Sequence, residues 1–398
     1  MPPALERRRK YAGPALFSYG FRPFFLGGAI WSVVCIVLWI PQFMGDVSLP
    51  MAYPPLEWHI HEMLYGYVAA VIAGFLLTAI PNWTGRLPIN GAPLAALAAL
   101  WLAGRSAILF SAYLGILVAA LIDVAFLIVL ATVAAQEIIA GRNWRNLRVL
   151  ILVGVLIAGN ITFHAEVYLS GSSDYGTRIA IAAVIVLISL VGGRIVPSFT
   201  RNWLARRDEG RLPAPFSRFD GASIAASLVS IVLWVALPNS TVTGVALILG
   251  ALMQSVRLAR WAGDRTTSDR LVLVLHVGYA FVPIGFALLG ASILNPALIP
   301  GSVGIHAWTA GAIALMTLAV MTRASLGHTG HPLSAGNGTQ AIYLFAFFAA
   351  GLRIIAAFSD SILPMELAAA AWVAAFGGFV LLYGPLLTRQ QPIWAGRN

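Results

Sequence analysis

Seven histidines are the side chains of this sequence best suited to metal or proton chemistry. Several lie inside stretches apolar enough to cross a lipid bilayer, where an ionisable side chain is costly and by default indicates a functional site. Imidazole is also a common ligand of copper and of haem iron. We therefore ask whether these residues form a metal centre; they are His59, His61, His164, His276, His306, His328 and His331.

The densest polar segment contains two histidines, a carboxylate and a phenol. His61 and Tyr65 are four residues apart and share one face of a helix, and His59 and Glu62 share another. A carboxylate in a low-dielectric setting is suited to relaying protons. We therefore take Glu62 and Tyr65 as candidate catalytic residues.

Helix geometry limits what His59 and His61 can share. Residues two apart in a regular helix point about 200° away from each other. Both imidazoles can therefore ligate one metal only if the first helical turn is irregular. Pro54 and Pro55, just upstream, would allow that.

The composition indicates an all-α polytopic membrane protein. Hydrophobic residues make up 59% of the 398 residues and charged residues only 10%, whereas soluble domains carry about 25% charged residues. The net charge of +10 does not indicate a nucleic-acid partner, because the basic residues lie between apolar segments, where they orient the chain.

Cysteine usage excludes several cofactor sites. Cys35 is the only cysteine, so an intrachain disulfide, a Cys-ligated iron–sulfur cluster and a covalent CxxCH haem site are all excluded. The basic stretch Glu6–Lys10 precedes a long apolar span without a small-residue cleavage site. It therefore predicts a start-transfer signal rather than a cleaved signal peptide.

Twelve segments approach the roughly 20 apolar residues that a membrane helix needs. Most of the 25 basic residues fall on one side of these segments, which predicts cytoplasmic N- and C-termini. Arg105 and Arg178 are assigned to the outer side. The segments are residues 24–43, 60–80, 92–110, 113–138, 148–169, 178–199, 220–237, 241–259, 270–292, 303–323, 339–358 and 363–387.

We interpret residues 1–398 as a single integral membrane domain. The cytoplasmic loop 201–219 divides it into two halves of six spans, residues 1–200 and 220–398. Such halves are typical of duplicated transporters, although no residue-level repeat between them is evident.

The predicted topology sorts the histidines into two groups. The outer group contains His59, His61, His164 and His306, which come from three spans and share one depth. Four imidazoles in one layer favour a metal site, the alternative being side chains that lie at the membrane interface.

The inner group offers ligands for a second cofactor. His276 is expected about two turns into the ninth span from its inner end, and His328 follows the inner end of the tenth. His331 is expected to be a solvated loop residue. Arg353 could pair with carboxylates of a cofactor such as haem propionates, or with Asp360. Asp123 and Arg194 could form a structural pair.

Four strings of sequence carry a resemblance to a known family. The chain resembles the NnrS family of bacterial membrane proteins over nearly its whole length. The resemblance implies haem b, copper and a link to nitric oxide in denitrification and nitrosative stress, in the bacterial inner membrane. The strings are residues 17–25, 58–63, 74–85 and 316–330.

One arrangement suits these expectations. The outer group would give one axial ligand to a haem and three ligands to copper, while His276 and His328 would ligate a second haem. Nitric oxide would then be reduced or detoxified there, which would make the protein an oxidoreductase similar to a nitric oxide reductase. Implied partners are nitric oxide, membrane lipid and an electron donor, either a quinol or an external redox protein.

Two other functions fit the sequence. Twelve spans also suit a secondary transporter of a metal, haem or a small anion. A transporter would show broken helices at corresponding positions of both halves, whereas the interruptions expected around Pro197 and Pro283 do not correspond. A haem-based sensor is the third possibility, but no soluble output domain is present.

Overall fold

Twelve helices in the described chain are long and apolar enough to cross a membrane. A computed structural model describes residues 11–207 and 209–390, with only the backbone of Arg145, and this part contains no strand. The predicted class and span number are confirmed; the stretch Glu6–Lys10 lies outside the described residues. The helices are α1 (Phe21–Met44), α2 (Pro55–Thr84), α3 (Ala92–Leu109), α4 (Ile116–Ala140), α5 (Leu147–Ser170), α6 (Tyr175–Leu204), α7 (Arg218–Ala236), α8 (Thr241–Ala259), α9 (Arg270–Leu294), α10 (Ser302–His328), α11 (Asn337–Ala356) and α12 (Leu363–Thr388).

The described residues form two units. The first unit contains residues 11–180, 321–332 and 379–390, and the second contains residues 181–320 and 333–378. Each candidate site described below lies within one of these units.

Helix α2 begins earlier than the sequence predicts. Pro54 is extended, with ψ 148°, and Pro55 occupies the first turn, where its missing N–H costs nothing and its fixed φ suits a helix. The helix ends at Gly85, whose φ of 71° is the left-handed conformation that commonly closes a helix. His59 and His61 therefore lie within a regular first segment of α2.

The placement of Arg105 corrects a sequence expectation. We assigned Arg105 to an outer turn, but α3 continues through it to Leu109, and the side chain is only 1% exposed. The chain turns later, through a short helix at Ser111–Leu114. A buried guanidinium needs acidic partners, which directs attention to the carboxylates around it.

Two helices contain π-helical segments, in which the backbone bond spans one residue more than in an α-helix. They are Glu62–Val68 in α2 and Ala307–Ile313 in α10, each seven residues long. Such segments are rare and are frequent at functional sites. Each one directly follows a histidine, His61 or His306.

The two π segments belong to an internal repeat. The same interval along the chain separates His61 from His306, Gly66 from Gly311 and Gly85 from Gly330. Gly85 and Gly330 both have φ 71°. The correspondence therefore extends over the length of α2 and α10.

Packing against the preceding helix repeats as well. A Cβ added to Gly28 of α1 would meet Ala70 and Val71, and one added to Gly278 of α9 would meet Leu315 and Met316. The residues met lie at matching positions of α2 and α10. The helix pair α1–α2 is therefore packed like the pair α9–α10. In this repeat α1 corresponds to α9, whereas two equal halves of six spans would make α1 correspond to α7.

Two other helices are continuous where interruptions were expected. Helix α6 runs through Pro197, and α9 runs through Pro283. Proline is tolerated in membrane helices because neighbouring groups satisfy the freed backbone atoms. The expectation that these spans are interrupted is wrong; the irregular backbone lies in α2 and α10 instead.

Candidate metal centre

Three buried side chains of the first unit bring metal-ligating atoms together. His61, Asp123 and His164 each offer one ligand atom, and these atoms all lie within 4.8 Å of one another. The residues come from α2, α4 and α5 and are 0–4% exposed. It is the only group of three such residues in the part of the chain that the structure describes.

Both nitrogens of His61 are engaged. Nδ1 lies 2.9 Å from the Glu62 carboxylate, so Nδ1 carries the proton and donates it. Nε2 lies 3.2 Å from the Asp123 carboxylate and 3.2 Å from the side-chain oxygen of Asn160. Nε2 is therefore the atom of His61 that faces the shared carboxylate.

His164 repeats this arrangement from α5. Its Nε2 lies 3.1 Å from the same oxygen of Asp123, and its Nδ1 lies 2.8 Å from the hydroxyl of Tyr53. Burial, reinforced by the negative charge of Glu62, raises the pKa of the Tyr53 phenol well above its usual range. Tyr53 therefore stays neutral and can donate to, or accept from, His164.

Arg105 joins the two carboxylates of the site. Its guanidinium donates to Glu62 over 2.8 Å and forms a close ion pair with Asp123. Trp31 also donates to Glu62, over 2.6 Å. Asp123, for which the sequence suggested Arg194, thus pairs with Arg105 instead.

The charge of the cluster favours a cation. Glu62 and Asp123 carry two negative charges, and Arg105 carries one positive charge. With both imidazoles neutral, one negative charge is left in a buried site. Buried charges are paired or coordinate metals, so a metal ion is one way to balance this cluster.

Several of the distances in the cluster also fit a small ion. Ligand atoms about 2.0–2.1 Å from a tetrahedral metal lie about 3.3 Å from one another. The contacts that Asp123 and Asn160 make with the imidazoles, at 3.1–3.2 Å, are close to that spacing. A planar haem does not fit here, because both imidazoles are buried and both Nε2 atoms face the carboxylate of Asp123.

The other predicted metal ligands lie elsewhere. The ring of His59 is stacked on Trp39, with ring centroids 4.1 Å apart, so His59 and His61 point to different neighbours, as a regular helix requires. His306 belongs to the second unit, where its Nδ1 lies 2.7 Å from the carbonyl oxygen of Ser302.

Glu62 and Tyr65 do not have the surroundings that we expected for catalytic residues. Glu62 is not an isolated carboxyl, because it has three donors. The hydroxyl of Tyr65 donates to the carbonyl of Gly176 over 2.7 Å, and its ring packs 5.4 Å from that of His61. The prediction that His61 and Tyr65 share a helix face is confirmed. Their rings pack against each other, but the phenol oxygen of Tyr65 does not contact a nitrogen of His61.

The two predicted ligands of a second cofactor belong to different units, and each has its own neighbours. Nε2 of His276 lies 2.8 Å from the hydroxyl of Thr200. The ring of His328 lies against Tyr19 and Phe21, with centroids 5.4 and 5.5 Å away.

The remaining two candidates behave differently. His331 is exposed and follows the end of α10, which agrees with a solvated loop residue. Arg353 is half-buried near the end of α11, and among the described residues it forms no ion pair with Asp360.

Sequence reasoning missed three residues of the cluster, Trp31, Tyr53 and Arg105. Arg105 could have been recognised from the sequence, because the apolar segment that begins at residue 92 can continue as a membrane helix through this position. Asp123 and Asn160 were recognisable as polar groups inside spans but not as partners of His61. Tyr53 had no distinguishing signal, since it lies in a loop before α2.

Comparison with known proteins agrees with the resemblance seen in the sequence. A sequence model of the NnrS protein family matches residues 15–391, nearly the whole chain. A search among curated proteins finds no match.

Proposed function

The chain belongs to the NnrS family, and on this premise we propose that it handles nitric oxide at a copper centre in the bacterial inner membrane. The copper ligands in this proposal are His61, His164 and Asp123, with Asn160 beside them. Family membership links the chain to nitric oxide; the metal, the reaction and the membrane are our assignments. Haem b is the second cofactor of the proposal.

One observation carries the proposal. The Nε2 atoms of two imidazoles converge on one carboxylate, while each Nδ1 is held by an outer partner, Glu62 or Tyr53. Metal-ligating histidines almost always have such a partner on the second nitrogen, which fixes the ring. Imidazole with oxygen ligands suits copper, and the excess negative charge favours any cation.

The proposed reaction is the reductive coupling of two nitric oxide molecules. It consumes two electrons and two protons, forms one N–N bond, breaks one N–O bond, and releases nitrous oxide and water. Copper, when bound, supplies a redox-active centre that binds nitric oxide. The electrons come from a quinol or an external redox protein.

The side chains around the ligands have distinct roles in this proposal. Arg105 holds Glu62 so that its carboxylate orients His61; we therefore assign Glu62 to positioning rather than to proton relay. Tyr53, kept neutral, can exchange a proton with His164 at its hydroxyl oxygen. The rings of Tyr65 and Phe163, 5.4 and 5.2 Å from that of His61, exclude water.

The haem part of the proposal has candidate ligands outside this cluster. His276 and His328 are the ligands expected from the sequence. Haem ligation by Nε2 of His276 would require its contact with Thr200 to break. Visible spectra of His276→Ala and His328→Ala test these two residues directly.

Metal analysis of purified protein tests the copper centre. We expect His61→Ala and His164→Ala each to lose most of the bound copper, because each removes a ligand. Asp123→Asn should lower copper content while it keeps the side-chain shape. His331→Ala, in an exposed loop, is the matched control and should retain full copper. Full copper in both ligand variants would refute the site.

Activity provides the second arm of the test. With a reductant and a quinol analogue, the wild-type protein should consume nitric oxide at an electrode and release nitrous oxide. His61→Ala should not. A protein that holds copper but never consumes nitric oxide would contradict the proposed reaction and leave the metal centre in place.

One observation favours a secondary transporter as the second candidate. Irregular backbone at corresponding positions of repeated helices is typical of transporter binding sites, and α2 and α10 both contain a π segment after a histidine. Uptake of copper by proteoliposomes, without an electron donor, would support this function. Nitric oxide consumption without any copper flux would exclude it.

A further inference from the structure

The imidazole of His306 is oriented by its own helix. Its Nδ1 lies 2.7 Å from the carbonyl oxygen of Ser302; because a carbonyl only accepts, Nδ1 carries the proton. Nε2 therefore keeps its lone pair, and no hydrogen bond to it is formed by another described residue. The residue is half-buried, whereas His61 is fully buried.

The repeat shows which side chains around His306 differ from those around His61. Alanines occupy the positions that correspond to the acid, the ring and the guanidinium around His61. Ala307 replaces Glu62, Ala310 replaces Tyr65, and Ala350 replaces Arg105.

These alanines leave His306 without fellow ligands. In the described part of the chain, no other His, Cys, Asp or Glu atoms join it in a group of three. A bare ion needs several ligands from the protein, so His306 alone cannot hold one. A metal held here must bring most of its own ligands.

One charged side chain near His306 corresponds to an apolar residue in the other copy of the repeat. Arg353 of α11 acts electrostatically on His306, and the corresponding position of α3 is the apolar Ile108. Arg353 has no acidic partner within ion-pair distance among the described residues. A cation without a counter-charge repels a bare metal ion and attracts carboxylates.

We propose that His306 is the axial ligand of a metallated tetrapyrrole that carries carboxylate groups, and that Arg353 pairs with one of those carboxylates. The tetrapyrrole would bring the ligands that this region lacks, and Nε2 of His306 would bind its metal. This assignment rests on the haem part of the proposed function. It moves His306 from the copper ligands expected from the sequence to the haem.

Reconstitution with iron protoporphyrin IX tests the assignment. Full-length apo-protein in detergent is titrated with the cofactor, and the Soret band is recorded. We expect His306→Gly to lose the band of the ligated haem and to regain it when imidazole is added. Copper content measured on the same samples should be unchanged.

The carboxylate partner needs its own variant. Arg353→Gln should weaken protoporphyrin binding by about tenfold, the effect of losing one charge-assisted hydrogen bond. Arg206→Gln changes an exposed arginine of the loop after α6 and should bind as wild type. Equal binding by the Arg353 and Arg206 variants would overturn the role of Arg353.

Two results would overturn the role of His306. Only the second of them would also contradict the haem part of the proposed function. If His306→Gly keeps the full Soret band while His276→Ala or His328→Ala loses it, the axial ligand is elsewhere and the haem of the proposed function stands. If wild-type protein shows no ligated Soret band at any cofactor concentration, the haem of the proposed function fails as well. Neither result affects the copper measurement.

Discussion

The regions around His61 and His306 share a backbone and differ in chemistry. In both, a histidine precedes a seven-residue π segment, with a glycine at the same position within it. Around His61 the neighbours are charged or aromatic, and the imidazole is sealed. At the corresponding positions near His306 there are alanines, and the imidazole is half-buried.

This difference shows how one local backbone can serve two kinds of site. A π segment shifts the register of the residues that follow it, which re-aims the face after the histidine. Side chains then decide the occupant: acids and a second imidazole favour a bare cation, whereas alanines and a nearby arginine favour a larger group that carries carboxylates. We infer that duplication supplied the shared backbone and substitution supplied the two chemistries.

Among the variants that compare the two regions, removal of the Arg105 side chain should have the largest effect on stability and copper content. Arg105→Met leaves Glu62 and Asp123 buried without their cation, and breaking a buried ion pair costs about 3–5 kcal/mol. We expect a large fall in the thermal midpoint of the purified protein, with loss of copper. Thermal unfolding in detergent, followed by tryptophan fluorescence, measures it.

A charge-balanced variant distinguishes the ion pair from simple packing. Arg105→Met combined with Glu62→Gln removes one charge of each sign and should recover a substantial part of the lost stability. Ala350→Met, at the corresponding position of α11, is the size-matched control for the second unit. A double variant as unstable as Arg105→Met would show that charge is not the cause.

The glycines of the two π segments offer a direct comparison. A Cβ at Gly66 would lie 2.5 Å from the Arg105 guanidinium and 2.9 Å from the Glu62 carboxylate, whereas one at Gly311 would meet the ring of Phe281. Overpacking of this kind costs about 1–3 kcal/mol. We expect both alanine variants to be destabilised, but only Gly66→Ala to lose copper. Equal copper loss in both would break the distinction between the sites.

The sequence predicts the helices far better than it predicts the site. Apolar length fixes twelve spans, because a membrane helix must satisfy its own backbone. It also draws attention to His61 and His164, since ionisable groups in such spans are rare.

The contacts within the site depend on how helices far apart in sequence are packed. Arg105 was placed in a turn because basic residues usually lie outside spans, and its acidic partners on α2 and α4 outweighed that tendency. The stack of His59 on Trp39 and the contact of Tyr53 with His164 have no local signal at all. The two π segments depend equally on tertiary packing.

Tyr53 provides a test of how the second imidazole is held. Tyr53→Phe removes the only described hydrogen-bond partner of His164 Nδ1. Loss of such an outer partner typically lowers metal affinity by about 10–100-fold. Competition with a copper chelator measures the change, and Tyr168→Phe, an exposed tyrosine of α5, is the control. Unchanged affinity would mean that Tyr53 does not orient a ligand.

Tyr65 should give the smallest effect, and it separates packing from catalysis. Tyr65→Phe keeps the ring beside His61 and loses only the hydrogen bond to the Gly176 carbonyl, worth about 0.5–1.5 kcal/mol. We expect slightly lower thermal stability, with copper content and nitric oxide consumption unchanged. Tyr65→Ala, which reproduces the residue found beside His306, should instead expose His61 and admit water. If Tyr65→Phe alone abolished nitric oxide consumption, the hydroxyl would be a catalytic group, as the sequence suggested, and water exclusion by the ring would not account for its role.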